Sequence, residues 1–137
     1  MQSELIPVKF HKIMQTHAYT VVVLGTESKL FAIYTESSIG KILQQLLTGT
    51  KKSRPQTHEL VNMIFTGYNI KIKQIVINDI QDTVYFARLY LEQEHGQHKH
   101  ILEIDARPSD CIALALMHNA PVFCTQEVLD NAVAVED

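Results

Sequence analysis

Two short stretches collect residue types that handle phosphate and protons. They are Arg54-Pro55-Gln56-Thr57-His58-Glu59-Leu60 and Asp105-Ala106-Arg107-Pro108-Ser109-Asp110-Cys111. Each has an Arg-Pro pair just before an apolar run of helical period, and within five residues each adds a hydroxyl residue and an acid. Pro108 suits the first turn of a helix, where its fixed φ and missing N–H cost nothing. The Thr57 hydroxyl is expected to cap the other helix. A helix N-terminus favours phosphate through its free N–H groups and dipole, and an adjacent arginine adds charge-assisted hydrogen bonds. Arg54 and Arg107 are therefore candidates to grip a nucleic-acid backbone. His58 has the chemistry of a general acid or base near neutral pH, and Asp105, Asp110 and Glu59 offer the carboxylate oxygens that Mg²⁺ or Mn²⁺ prefers. Metal-assisted phosphodiester hydrolysis is the reaction these groups suit. A plainer reading stands beside it. Arg107 pairs with Asp105 or Asp110 to fix a strand-to-helix corner, His58 and Glu59 form a solvated first turn, and Thr57 is only a cap.

The elements that must position these residues follow from periodicity. Leu5 to Ile13, Tyr19 to Leu24 and Lys29 to Tyr34 read as strands. Glu36, Ser37 and Ser38 supply helix-start chemistry, and Ile39, Ile42, Leu43, Leu46 and Leu47 keep helical spacing up to a stop near Gly49. Thr50 to Pro55, with Lys51, Lys52 and Arg54, reads as a polar loop. The second helix carries Leu60, Val61, Ile64, Phe65 and Tyr68 and ends around Gly67 and Asn69. Ile70 to Ile77 and Thr83 to Leu91 form a hairpin across Asn78 to Asp82, with Tyr85, Ala87, Leu89 and Leu91 on one face. Glu92 to His100 is expected as a polar connection and Ile101 to Asp105 as a strand. The helix after Pro108 is apolar nearly all round from Ile112 to Met117, the pattern of a helix buried on most sides. It ends at Asn119. Pro121 to Phe123 is a short strand, and Thr125 caps a last helix from Gln126 to about Ala132. Strands come in runs between helices, so an α+β fold is expected: one domain over residues 1–137, with a mostly antiparallel or mixed sheet and about four short helices.

Composition narrows the function classes. A chain of 137 residues that is 46% hydrophobic and 20% charged is expected to form one globular domain, and its net charge of −3 argues against a broadly basic nucleic-acid-coating surface. Nucleic-acid contact would be local or metal-assisted. Two cysteines, Cys111 and Cys124, supply no disulfide framework and fit a reducing cytoplasm. The N-terminal apolar run is broken by Glu4 and Lys9, and no apolar stretch reaches about 18 residues, so a soluble chain without membrane association is expected. His95, His98 and His100 fit a hairpin or loop around Gly96 better than a zinc site, since no cysteine or acidic triad accompanies them. Five glycines with no phosphate-cradling loop argue against nucleotide cofactors, and no organic cofactor is expected.

On the two Arg-Pro motifs, in this order, with a strand pair between them and Pro121-Val122-Phe123 after them, the chain resembles the bifunctional nuclease domain family over roughly residues 19–132. The resemblance implies an α+β fold that associates as a wedge-shaped homodimer, a groove as active site, and DNase and RNase activity. By matching position it carries over Arg54, Pro55, Thr57, His58 and Glu59 from one motif, and Asp105, Arg107, Pro108, Ser109 and Asp110 from the other. Phe31 to Ser38 departs from the family pattern, lacking the proline and the glycine that members place there, which bears on the groove wall or dimer edge near Thr35. The expected protein is thus a cytoplasmic, dimeric, divalent-metal-assisted nuclease. Arg54, Thr57, Arg107 and Ser109 hold substrate, Arg54, His58, Glu59 and Arg107 form the catalytic group, and Asp105, Asp110 and Glu59 hold Mg²⁺ or Mn²⁺. The alternative from another class is a non-catalytic interaction module whose Arg/Asp cluster is structural. Binding of nucleic acid or a small anion without cleavage is the third reading.

Overall fold

β-branched and aromatic runs build the sheet on which both motifs rest. The computed structural model describes residues 4–49 and 56–136, so the expected loop over 50–55, with Arg54, lies outside the described residues. The elements are β1 (Leu5–Gln15), β2 (Tyr19–Gly25), β3 (Leu30–Glu36), α1 (Ser37–Thr48), α2 (Thr57–Gly67), β4 (Ile70–Gln81), β5 (Val84–His95), β6 (His98–Ala106), α3 (Pro108–His118), β7 (Val122–Thr125) and α4 (Gln126–Asn131). Among the described residues the strands form one seven-stranded sheet in the order β3-β2-β1-β7-β4-β5-β6. Only the β4–β7 pairing is parallel; the other neighbours run antiparallel, giving the mixed α+β domain expected.

Helix α3 sits at the centre. Cys111, Ile112, Ala113, Leu114 and Ala115 are all buried, and the helix touches α1, α2, β3, β4 and β5. Small residues at positions 111, 113 and 115 permit that many close neighbours. In β5, Tyr85, Ala87, Leu89 and Leu91 share the buried face as their alternation requires, and Tyr85 stacks on Phe31 of β3 with ring centroids 5.4 Å apart. Both thiols lie in this core. Burial, with Asp110 and Asp105 nearby, pushes the Cys111 thiol up to about 12, and burial pushes Cys124 to about 11, which leaves neither a ready nucleophile.

Three boundaries differ from expectation, each for a local reason. The β4–β5 turn is tighter than residues 78–82, because the strands pair through Gln81–Val84 and Asp82 alone takes a left-handed φ of 59°. Residues 92–100 are not a connection but the tip of the β5–β6 hairpin, turning at Gly96 with a φ of 63°. Polar side chains there are compatible with strand because backbone pairing, not burial, holds the tip, helped by a Lys99–Glu92 ion pair at 2.6 Å. Thr57 is the first helical residue rather than the cap: Gln56 occupies that position, and the Glu59 carboxylate accepts from its backbone N–H at 3.3 Å. The start of α1 falls where Glu36, Ser37 and Ser38 place it: Ser37 is the first helical residue, and Glu36 stands before it without capping it by its side chain.

Gly40 fixes how α1 meets the sheet. A Cβ there would overlap Gln15 Oε1 and Thr20 Oγ1. Those two atoms form a hydrogen bond of 2.9 Å, and Gln15 Nε2 donates to the Ser37 carbonyl at 3.0 Å, so the contact also anchors the start of α1. Gly40→Ala is expected to lower stability by about 1–3 kcal/mol, the usual cost of overpacking. Urea unfolding measures this, and an unchanged midpoint would show that Gln15 moves aside freely.

Candidate active site at the mouth of α3

The corner from β6 into α3 turns at Pro108, which begins the helix, with Arg107 in extended conformation before it. Asp110 follows one turn later, on the face toward α2. Its Oδ1 lies 2.9 Å from Nε2 of His58, and its two oxygens accept from Nε and Nη2 of Arg107 at 3.0 and 3.3 Å. Nη1 of Arg107 donates in turn to Glu36 Oε1 at 2.9 Å. One chain of contacts thus runs His58–Asp110–Arg107–Glu36 and joins the starts of three helices.

His58 is buried, only 8% exposed, so the solvated-turn reading does not hold for it. In the neutral imidazole the Nε2–H donates to Asp110, which leaves Nδ1 as the acceptor. Nδ1 is buried and has no partner among the described residues. Burial would raise the Asp110 pKa, but hydrogen bonds from Arg107 and His58 outweigh it and hold the carboxyl below its ordinary value. The hydrogen bonds that Arg107 donates, to Asp110 first and Glu36 second, raise its pKa above its already high value.

Two clefts flank this chain. The first, of about 360 Å³, lies between α1, α2 and α3, and its polar lining is Gln45, Gln56, His58, Glu59 and Asn62. The second, of about 430 Å³, contains Arg107, Glu36, Ser109, Tyr34 and Thr35 among its walls. Ser109 of that lining is buried, whereas Thr57 is exposed on α2. The expected metal group does not come together. Asp105 is exposed on β6 opposite Arg88, Glu59 caps α2, both Asp110 oxygens are engaged, and no three His, Cys, Asp or Glu side chains among the described residues form a metal-holding group. His95, His98 and His100 at the β5–β6 tip form none either.

Sequence reasoning missed Glu36, which it read only as helix-start chemistry. No local signal marks it, since its partner lies 71 residues away. The polar residues Gln45, Gln56 and Asn62 of the first cleft likewise fall outside the candidates, because an amide side chain on an amphipathic helix, or just before one, reads as solvated surface.

Linkage gives the direction of the pH effect. A carboxyl whose folded pKa is depressed contributes stability above its unfolded value, about 3.9, and loses it as pH falls through the folded value. Asp110→Asn is therefore expected to cost about 1–3 kcal/mol at neutral pH, the worth of hydrogen bonds to a charged group, with the gap to the parent protein closing below about pH 4. Denaturation at several pH values checks this, and a gap independent of pH would contradict it.

Comparison with known proteins agrees with the geometry. The uncharacterized proteins MT1877 and Rv1829 of Mycobacterium tuberculosis are each 29% identical to this chain over 84 residues, 61% of its length and 47% of theirs. The chain therefore spans about half the length of these curated relatives. The family model of the bifunctional nuclease domain matches residues 21–137, a span that includes both Arg-Pro motifs, α3 and every residue of the His58–Asp110–Arg107–Glu36 chain. The chain belongs to the bifunctional nuclease domain family.

Proposed function

We propose that this chain hydrolyses phosphodiester bonds of DNA and RNA, with His58 as the proton-transfer group. The observation that carries the reading is the carboxylate-held histidine. Asp110 fixes one imidazole nitrogen and leaves the other, the buried and unpartnered Nδ1, as a defined acceptor, the arrangement by which an orienting acid prepares a general base. Arg107 holds the same carboxylate and keeps part of its guanidinium in solvent, its side chain being 58% exposed. It supplies positive charge where negative charge develops on a phosphate under attack. The cleft that His58 lines together with Gln45, Gln56 and Asn62 is the side from which a substrate would approach it. Mg²⁺ or Mn²⁺ remains part of the reading, but the carboxylates of the described residues form no cage for it, so the steps assigned to this chain are those of His58, Asp110 and Arg107. The homodimer and the cytoplasmic setting belong to the same proposal. No helix among the described residues is long and apolar enough to cross a membrane.

A second reading has its own observation. Three Arg107 donors are taken by Asp110 and Glu36, as expected of a purely structural cluster that locks helices to the sheet.

Cleavage of labelled single-stranded RNA and duplex DNA with Mg²⁺, Mn²⁺ or EDTA separates the two. The nuclease reading expects turnover that falls about 10²–10⁴-fold in His58→Ala, the usual worth of general acid–base catalysis, and the EDTA arm reads whether a metal takes part. His58 is buried, so the variant's fold is checked by circular dichroism. Turnover that persists undiminished in folded His58→Ala would remove the histidine from the mechanism. Absence of turnover in the parent protein would leave the interaction module.

A further inference from the structure

The second cleft has features that the proton-transfer chemistry does not use. Its outer wall is Tyr34 of β3, an edge strand of the sheet, and this ring is 62% exposed. A single exposed tyrosine is ordinary. This one is braced: Tyr19 of β2 lies against it, with ring centroids 5.7 Å apart and planes tilted by 58°. The bracing limits ring motion yet leaves most of the ring in solvent. Arg107 lines the same cleft, and with three of its five N–H groups engaged, two remain unengaged among the described residues. The same lining is apolar at Val84, which is itself exposed, and Thr35 and Thr83 add hydroxyls.

An aromatic face and a guanidinium that share one cleft suit a ligand with a planar base at one end and a phosphate at the other. A volume of about 430 Å³ falls within the usual range for small-molecule sites. The base must be unpaired, because a base in a duplex has both faces already stacked. We infer that this cleft seats one nucleotide of a single-stranded nucleic acid, its base stacked on Tyr34 and its neighbouring phosphate on Arg107. The inference rests on the proposed action on nucleic acid and narrows it to single strands. Arg107 also binds the carboxylate that holds His58, so a strand seated on Tyr34 leads past Arg107 toward the catalytic histidine. Stacking on a tyrosine is tolerant of sequence, so the site distinguishes paired from unpaired bases rather than one base from another.

The test is fluorescence anisotropy in EDTA at fixed low salt, with end-labelled single-stranded RNA, single-stranded DNA and a duplex of the same sequence. Tyr34→Ala is expected to weaken single-strand binding about tenfold, the effect of losing one base–aromatic stack, with duplex binding unchanged. Tyr34→Phe keeps the ring and is expected to bind like the parent. Arg107→Gln should weaken binding to single strands and duplex alike and flatten the salt dependence, as loss of a phosphate contact does. A parent protein that binds single strands while Tyr34→Ala binds them equally well would overturn the cleft assignment and leave the nuclease reading standing. A parent protein that binds none of the three would overturn both.

Discussion

The carboxylate of Asp110 is the constraint on which the site depends. It lies at the start of α3, yet it holds a histidine 52 positions earlier and an arginine three positions before itself. A charge in partial burial is tolerable only while it is paired and hydrogen-bonded, and here both partners approach the same group. Removing either leaves the other facing an incompletely compensated neighbour. The orientation of the imidazole, the direction of the guanidinium and the angle between α2 and α3 are therefore one problem with one solution, rather than three independent choices.

That solution requires α3 to be sunk deep in the domain. Cys111, Ala113 and Ala115 bring its backbone close to α1 and the sheet, while Ile112 and Leu114 fill the remaining space. The corner before it is set from both sides. β6 pairs with β5 up to Ala106, and Pro108 begins the helix two residues later, so Arg107 has little freedom except in its side chain. Glu36 is delivered to the other end of Arg107 by β3, whose pairing with β2 runs through to Glu36 itself. Regular backbone thus carries each member of the chain almost to its contact point, and the flexible guanidinium spans the rest.

Much of this was legible in the residues, and what was not has physical causes. Pro108, the apolar surround of α3, the period of α1 and the alternation of β5 each encode a local preference that tertiary structure did not need to override. The left-handed stops at Gly49 and Asn119 were legible for the same reason. Residues 92–100 were not, because polarity signals a loop only when burial is what holds a strand, and this hairpin is held by its ladder. His58 was not recognised as buried, since its partner comes from a helix remote in sequence. The Arg107–Glu36 pair was beyond reach for the same reason. The expected metal group was built from proximity in sequence, and the fold separates it by giving Asp105 to an exposed strand face and Glu59 to a helix cap.

Charge at this site also constrains how any polyanion would be held. Arg107 faces two carboxylates, Glu36 and Asp110, and the whole chain carries a net charge of −3. Phosphate neutralisation supplies most of the affinity of proteins that coat nucleic acid, and it requires an excess of cations that this cluster lacks. A phosphate arriving at Arg107 must share the guanidinium with Glu36, whose oxygen already accepts from Nη1 at 2.9 Å. Electrostatics alone would therefore give weak retention at this point. On the proposed reading, contacts that do not depend on charge, such as stacking against an exposed ring, then decide how long a strand stays. On the same reading the work divides between the two sides of Arg107: retention falls to the edge-strand side, and proton transfer to the side of the buried His58, where a lower local dielectric strengthens the hold of the orienting carboxylate.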